Sequence, residues 1–564
     1  MIALLAVTAA GRRAAAELAP TLGATPAELV DLPALWPELD GAVFFLATGA
    51  TVRLIGPLLV DKHTDPGVVC VDEARRFAVA LAGGHGGGAN ALAVRVGELL
   101  GAQPVITTAS DATGSTGLDE LVALLDAEVD GDLAAAGTAL LDGAATVHNP
   151  LGFPLPPLPP AGTEPRHTIV ITDRRDEPPL TETGVTRLVP PTLVVGIGSA
   201  RGVPAEAVTA ALHRLESEHG LDLRAVRAYA SVDLKAGEPG ILAAIAPAPL
   251  HTYPAAALAG VTVPNPSEVV RAEVGTPSVA EAAALHAAAE LGGGSAVELV
   301  AEKTKGANVT VAAARIRPRG RLAIVGLGPG AADLRVPRAE AELRRASVVV
   351  GLDQYVEQVA HLLRPGTEVR ASGLGDEEQR AADAVALAAK GHAVALIGSG
   401  DAGVYAMASP ALQQAGRDIE VVGVPGVTAA LTAASLLGAP LGHDHVLISL
   451  SDLHTPWPVI EQRVAAAAAA DLVTCFYNPR SRDRHWQLAA ALDALRAHRP
   501  PATPVGAVRQ AGRPGQRVWT APLSEFDPTE VDMLTTVLVG ASSTRMVAGR
   551  MVTPRGYRWS GTPR

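Results

Sequence analysis

Turns rich in glycine and proline, each following a short apolar run, are the residues of this chain best placed to do chemistry. Four stand in its last two-fifths: Gly326-Leu327-Gly328-Pro329-Gly330-Ala331, Gly398-Ser399-Gly400-Asp401-Ala402-Gly403-Val404-Tyr405, Val424-Pro425-Gly426-Val427-Thr428-Ala429 and Cys475-Phe476-Tyr477-Asn478-Pro479-Arg480. Bare glycines let backbone amides and carbonyls approach a ligand closely. Turns at the carboxyl ends of several strands can converge on one cleft, where they could read an adenosine or an amino-acid moiety. Taken alone, Gly326 to Ala331 also fits the dinucleotide pattern G-x-G-x-x-G/A weakly, with Asp353 after the next strand as a ribose acid and a plain strand–turn–helix connection as the alternative. Pro329 is unusual inside a dinucleotide turn.

A fifth motif, Gly83-Gly84-His85-Gly86-Gly87-Gly88-Ala89-Asn90, follows the apolar stretch FAVALA. It lacks the Gly-Lys-Ser/Thr ending of a phosphate-binding loop, so phosphate transfer is not supported. Its glycines would leave the His85 imidazole accessible for acid–base work near neutrality; a purely structural histidine is the alternative. No G-x-S-x-G elbow occurs, which argues against a serine-hydrolase triad. Cys70 and Cys475 lie far apart inside apolar runs, so neither a disulfide framework nor a CxxC zinc site is expected, and no metal is assigned.

The elements that must hold these turns are legible as an alternation of short Val/Ile/Leu runs with alanine-rich helical stretches, an α/β signature. Runs of the strand type are Ala42 to Leu46, Val68 to Val71, Leu193 to Val195, Leu322 to Val325, Ser347 to Val350, Val394 to Ile397 and Val537 to Val539. Continuous apolar strands suit parallel sheets covered on both faces. At 564 residues the chain should hold about three to four domains. The proline-dense segment Asn149 to Pro160 and the basic hinge Arg315 to Arg321 suggest boundaries, giving 1–150, a linker region 151–190, 191–317 and 318–564. A net charge of −12 argues against nucleic acid or an anionic membrane as the main partner. The first twenty residues lack a basic n-region, and no apolar run reaches membrane-spanning length, so a cytoplasmic protein is expected.

GLGPG, GSGDAGVYAMA, PGVTAALTAASLLGAPL, CFYNPRSR and TTVLVGASSTR together resemble the S-adenosylmethionine-dependent tetrapyrrole (precorrin) methyltransferases, most closely those that methylate C17 and contract the ring. The resemblance implies two α/β lobes with the cofactor in the cleft between them. It places Pro329, Ser399, Gly400, Asp401, Val404, Thr428, Ala429, Asn478 and Gly540 along the cofactor. Leu352 and Ala541 depart from the aromatic residue and the asparagine expected at their positions. Such a substrate carries many carboxylates, which suit arginine forks. Arg480, Arg482 and Arg484 follow the CFYNP motif, and Arg509, Arg513 and Arg517 surround VRQAGRPGQ. Tyr355 and Tyr405 could donate hydrogen bonds into the cleft. Relatives of this kind also suggest a homodimer.

LATGATVRLIGPLLVDKHTDPGVVCVDEARRFAVALAGGHGGGAN with PVITTASDATG, and PTLVVGIGSARG with ASVDLKAGEPGI, SVAEAAAL and EKTKGANVTVAAARI, resemble cobalt-precorrin-5A hydrolase over most of residues 1–316. Ser199 and Gly86 stand where that family has cysteine and leucine. The resemblance implies opening of a δ-lactone with release of acetaldehyde, which needs an activated water and a counter-charge for the oxyanion. Residue type within the matched motifs suggests His85 as acid or base, Lys62, Lys235 and Lys303 as counter-charges, and Glu238 and Glu281 as further acid–base groups. The expectation is thus a bifunctional cobalamin (corrin ring) synthesis enzyme. Two alternatives stand beside it: a nicotinamide-dependent oxidoreductase using GLGPGA, and a methyltransferase fused to a non-catalytic tetrapyrrole-binding module.

Overall fold

The computed structural model describes residues 1–61, 64–84, 86–162, 164–175, 177, 184–481 and 484–557. Contacts divide it into two units, Met1–Arg319 with Arg364–Gly366, and Gly320–Leu363 with Thr367–Arg564. In the first unit, strands Thr25–Ala27, Ile2–Ala6, Gly41–Phe45, Gly67–Val71, Phe77–Ala82 and Gln103–Val105 lie side by side in that order. All pairs are parallel except Gly67–Val71 with Phe77–Ala82. A second sheet runs Glu128–Asp130, Val185–Val189, His167–Ile171, Ala145–His148. It draws strands from both sides of residue 150. The proline-dense segment does not behave as a free spacer, because the apolar residues between its prolines are too greasy to leave in water. Leu151, Phe153, Leu155 and Leu158 pack on this sheet's core, and Thr116 Oγ1 donates to the Pro157 carbonyl at 2.6 Å.

The third sheet has the order Leu250–Tyr253, Val226–Val232, Leu193–Ser199, Val309–Ile316, Val297–Lys305, the first three parallel and the last two antiparallel. Helix Ala280–Leu291 lies flush on it because its inner face is alanine: Ala282, Ala283, Ala284, Ala287 and Ala288 are fully buried. Each side chain is small, so the backbones touch. A methyl on Gly196 would stand 1.9 Å from the Ala280 carbonyl oxygen.

The second unit holds two lobes. One is a wholly parallel sheet, Glu368–Ser372, Val348–Leu352, Ala393–Gly398, Gly320–Gly326, Ile419–Val424. Its central strands are apolar throughout and covered by helices such as Pro337–Arg345 and Glu377–Ala389. Burying each large aliphatic side chain there contributes roughly 1.5–3 kcal/mol. The other lobe is a sheet ordered His445–Ser449, Val473–Tyr477, Thr535–Val539, Pro504–Arg509, Arg517–Pro522, parallel only in its first pair. The apolar run around Val537 therefore belongs to a strand antiparallel to both neighbours. An unbroken apolar run reports burial on two faces and says nothing about direction. The whole is a multidomain α/β molecule of mixed sheets. Among the described residues no helix is long and apolar enough to cross a membrane, and no group of three or more His, Cys, Asp or Glu side chains is placed to hold a metal ion. Cys70 and Cys475 are both buried free thiols, and burial pushes the Cys475 thiol up from its ordinary range.

Candidate active site

The parallel sheet of the second unit builds a crevice by topology. The strand Gly320–Gly326 connects onward to Val348–Leu352 on one side of it, whereas Ala393–Gly398 connects to Ile419–Val424 on the other. Chains leaving these two adjacent strands must part, and ligands of open α/β sheets bind where they do. The two turns meet across that point. Leu327 N–H donates to the Gly398 carbonyl at 2.9 Å, Gly328 N–H to Gly400 O at 3.1 Å and Gly400 N–H to Gly328 O at 2.7 Å. The third turn closes on them: a methyl on Gly426 would lie 2.1 Å from Gly400 O and 2.8 Å from the Gly326 carbonyl carbon. Only backbone fits there.

Asp401 staples the turns together. One carboxylate oxygen accepts Gly403 N–H at 2.8 Å and the other accepts Gly426 N–H at 3.0 Å. Ser399 Oγ and the Pro329 carbonyl both accept from Arg513, at 2.8 and 2.5 Å. Thr428 precedes helix Ala429–Leu437, and its Oγ1 lies 2.6 Å from the Tyr477 hydroxyl, which also accepts Ala430 N–H at 3.0 Å. Tyr477 comes from the second sheet, on which helix Ala429–Leu437 packs, so this one oxygen fixes the start of that helix over its strand. The Tyr405 ring stands 5.3 Å from that of Tyr477, and its hydroxyl donates to Leu447 O at 2.8 Å. Burial raises both phenols above their ordinary value, which keeps them protonated and able to donate. Tyr405 holds φ +54° and Asn478 φ +48°, conformations that L side chains adopt rarely and that cluster at functional sites. Beside them opens a cavity of about 390 Å³ lined by Gly403, Val404, Tyr405, Ala406, Ser409 and Leu447.

Asn478 Nδ2 donates to Ser449 Oγ at 3.1 Å, and buried Arg484 donates to the Asn478 carbonyl at 2.6 Å. Arg480 donates to the Pro528 and Thr529 carbonyls, and Arg509 pairs with Asp532 at 2.7 Å. Tyr355 packs, half-buried, against the core of the parallel lobe. Arg482 lies outside the described residues. Gly540 is not brought to this cleft. Val539 pairs with Thr474 while Phe476 pairs with Val537, so the antiparallel register carries Gly540 to the opposite end of the sheet from Tyr477. Its amide donates to Pro504 O and its carbonyl accepts from Arg499. Tyr477, which the sequence offers inside CFYNPR, has a role there that only its partners in the fold reveal.

In the first unit, His85 and Lys62 lie outside the described residues. Lys235, Glu281 and Lys303 share the edge of the third sheet at which strands Leu193–Ser199, Val226–Val232 and Val297–Lys305 end. Lys235 Nζ meets Glu238 at 2.9 Å, and Glu238 also accepts Gly202 N–H at 2.8 Å. The Lys235 ammonium, helped by that amide, holds the Glu238 carboxyl below its ordinary value. Glu281 is fully buried and accepts from the Asn265 side chain at 2.8 Å and from Lys303 N–H at 3.1 Å, while Lys303 Nζ donates to Asn265 O at 2.9 Å. Both residues thus grip Asn265. Ser199 Oγ, at the end of the central strand, is buried with no hydrogen-bond partner among the described residues.

Residues 321–527 match the family model of tetrapyrrole (corrin/porphyrin) methylases. Residues 193–314 match the cobalamin synthesis G C-terminus and 31–111 the cobalamin synthesis G N-terminal model. The probable cobalt-factor III C(17)-methyltransferase of Salmonella typhimurium is 47% identical over 242 residues, 42% of this chain and 99% of that protein. The cobalamin biosynthesis protein CobIJ of Mycobacterium tuberculosis is 42% identical over 252 residues, 43% of this chain and 49% of that protein, so the match spans about half of its length. The crystal structure of the methyltransferase CobJ shares 37% identity over 42% of this chain and 100% of its own, with a TM-score of 0.40.

Proposed function

The chain belongs, through its second unit, to the tetrapyrrole (corrin/porphyrin) methylases, and from that membership we propose a bifunctional enzyme of corrin-ring synthesis. Its second unit transfers a methyl group from S-adenosylmethionine to C17 of precorrin-3B or cobalt-precorrin-3, with ring contraction. Its first unit opens the lactone of cobalt-precorrin-5A and releases acetaldehyde. The observation that carries the methyl-transfer reading is the meeting of the Gly326, Gly400 and Gly426 turns, backbone against backbone, at the switch point of a parallel sheet.

The cleft suits the cofactor in chemistry and size. Its hydrogen-bonding groups are amides that donate, carbonyls that accept and hydroxyls that do both, as a nucleoside requires, and the adjoining cavity of about 390 Å³ beside Val404 and Tyr405 falls within the range of small-molecule sites. The bound sulfonium supplies an electrophilic methyl with its leaving group attached, so no enzymic nucleophile is required. The work left to the chain is alignment, which can supply much of the acceleration. In this reading Pro329, Ser399, Gly400, Asp401, Val404, Thr428, Ala429 and Asn478 hold the cofactor. Tyr405, its hydroxyl proton engaged by Leu447 O, orients the acceptor as a wall of the cavity, and Arg480 with Arg482 receives its carboxylates. For lactone opening, Lys235 and Lys62 are counter-charges to the oxyanion and His85 is the acid–base group. Glu281 and Lys303 support that site by fixing Asn265.

The test is the mass of the product formed from each macrocycle with S-adenosylmethionine. A gain of one methyl on the precorrin-3B class, and acetaldehyde from the lactone, are expected. Binding of NADPH without binding of S-adenosylhomocysteine would overturn the methyltransferase assignment. A chain that methylates but releases no acetaldehyde would leave the first unit a tetrapyrrole-binding module.

A further inference from the structure

The loop Gln510–Gln516 joins strands Pro504–Arg509 and Arg517–Pro522, and it carries Arg513 onto the cofactor turns. The loop is internally braced. Arg513 N–H donates to Gln510 O, Gln516 N–H to Arg513 O and Gly512 N–H to Gln516 Oε1, at 3.0, 3.1 and 2.8 Å. Gln510, Gly512 and Gly515 all have positive φ, the sharp bends of a formed tip. The flanking arginines are already matched with acids: Arg509 with Asp532 and Arg517 with Glu530, both at 2.7 Å. Arg513 differs. Its Nε donates to the Pro329 carbonyl at 2.5 Å and a terminal nitrogen donates to Ser399 Oγ at 2.8 Å. The guanidinium crosses directly over Gly330, where a methyl would stand 2.7 Å from its Cγ and Nε.

A guanidinium that, among the described residues, holds a carbonyl and a hydroxyl and no carboxylate keeps its strongest interaction in reserve, since a bidentate carboxylate pair joins opposite charges through two parallel hydrogen bonds. We propose that Arg513 is a carboxylate receptor wired to the cofactor turns: a ligand carboxylate draws the guanidinium from Pro329 and Ser399, so that ligand docking and the geometry of those turns are coupled. This inference rests on the methyl-transfer reading. The carboxylate has two possible sources of the same chemistry, the aminoacyl end of the cofactor and a peripheral acid of the macrocycle. By linkage, coupling works in both directions: whatever the acceptor does to cofactor affinity, the cofactor does to acceptor affinity.

The test titrates S-adenosylhomocysteine by calorimetry into the full-length wild type, Arg513→Gln and Arg513→Lys, with and without saturating uroporphyrin III, and repeats it with methylthioadenosine, which lacks the carboxylate. If the macrocycle is the source, uroporphyrin III shifts the wild-type affinity for S-adenosylhomocysteine by roughly 5- to 100-fold. Arg513→Gln abolishes the shift, Arg513→Lys keeps part of it, and the preference for S-adenosylhomocysteine over methylthioadenosine is unchanged. If the cofactor is the source, that preference collapses in Arg513→Gln instead. An Arg513→Gln protein in which neither ratio moves makes the guanidinium a mere strut and overturns the inference alone. A wild type that binds no S-adenosylhomocysteine removes the methyl-transfer reading and this inference with it.

Discussion

Tyr477 concentrates the demands of the cleft on one oxygen, which meets Thr428 Oγ1 and accepts the amide of Ala430. Ala430 is fully buried, so removing the hydroxyl strands an amide away from water. Such a loss costs about 1–3 kcal/mol. Tyr477→Phe should therefore lower the denaturation free energy by that amount and weaken S-adenosylhomocysteine binding, because the first turn of helix Ala429–Leu437, whose apolar face packs on the second sheet, loses the bonds that fix Thr428 and Ala430. Unchanged stability and affinity would show that the hydroxyl holds nothing. Much of this site is legible in the sequence as bare glycines after apolar runs, since a close backbone approach leaves a local mark on composition. The partners of Tyr477 and Arg513 leave none. Thr428 is 49 residues from Tyr477 and Pro329 is 184 from Arg513, and no local pattern encodes partners chosen by the fold. Gly540 illustrates the converse: a motif can be recognised while the strand direction that places it stays hidden.

At the scale of elements, the strands themselves were readable because burial on two faces demands continuous aliphatic runs. Val394 to Ile397 lies within Ala393–Gly398 and Leu322 to Val325 within Gly320–Gly326. Direction was not, and the antiparallel neighbours of Thr535–Val539 arise from connections rather than composition. The last strand of the parallel lobe offers a sharp contrast between two of its glycines. Gly423 has nothing within 4 Å of an added methyl, whereas Gly426 just beyond the strand would thrust one to 2.1 Å from Gly400 O. Gly423→Ala should stay within about 0.5 kcal/mol of wild type, as surface substitutions do. Gly426→Ala must push the third turn off the other two. It is expected to weaken S-adenosylhomocysteine binding at least about tenfold, since a misplacement of order an ångström at such a site costs that much or more. Calorimetry on the two variants decides, and equal affinities would mean that the three turns need not touch.

Across the whole molecule, the two units have separate cores: the clusters around Val195 and Val43 belong to the first, those around Leu396 and Phe476 to the second. Proteins with several cores need not unfold in one step. A ligand stabilises only the cooperative unit that binds it, by about 2.7 kcal/mol at a concentration one hundred times its dissociation constant. Scanning calorimetry of the full chain should then show more than one transition, with saturating S-adenosylhomocysteine raising one and leaving the others in place. At the same ligand concentration Gly426→Ala should cut that selective shift to about half or less without lowering the acetaldehyde release proposed for the first unit, while Lys235→Met should do the reverse, because Lys235 lies at the end of a sheet in the other unit. A single transition that moves as a whole with the ligand would mean that the units stand or fall together. Fusion would then be a structural dependence, and not simply a covalent link that holds two independent units at the same concentration.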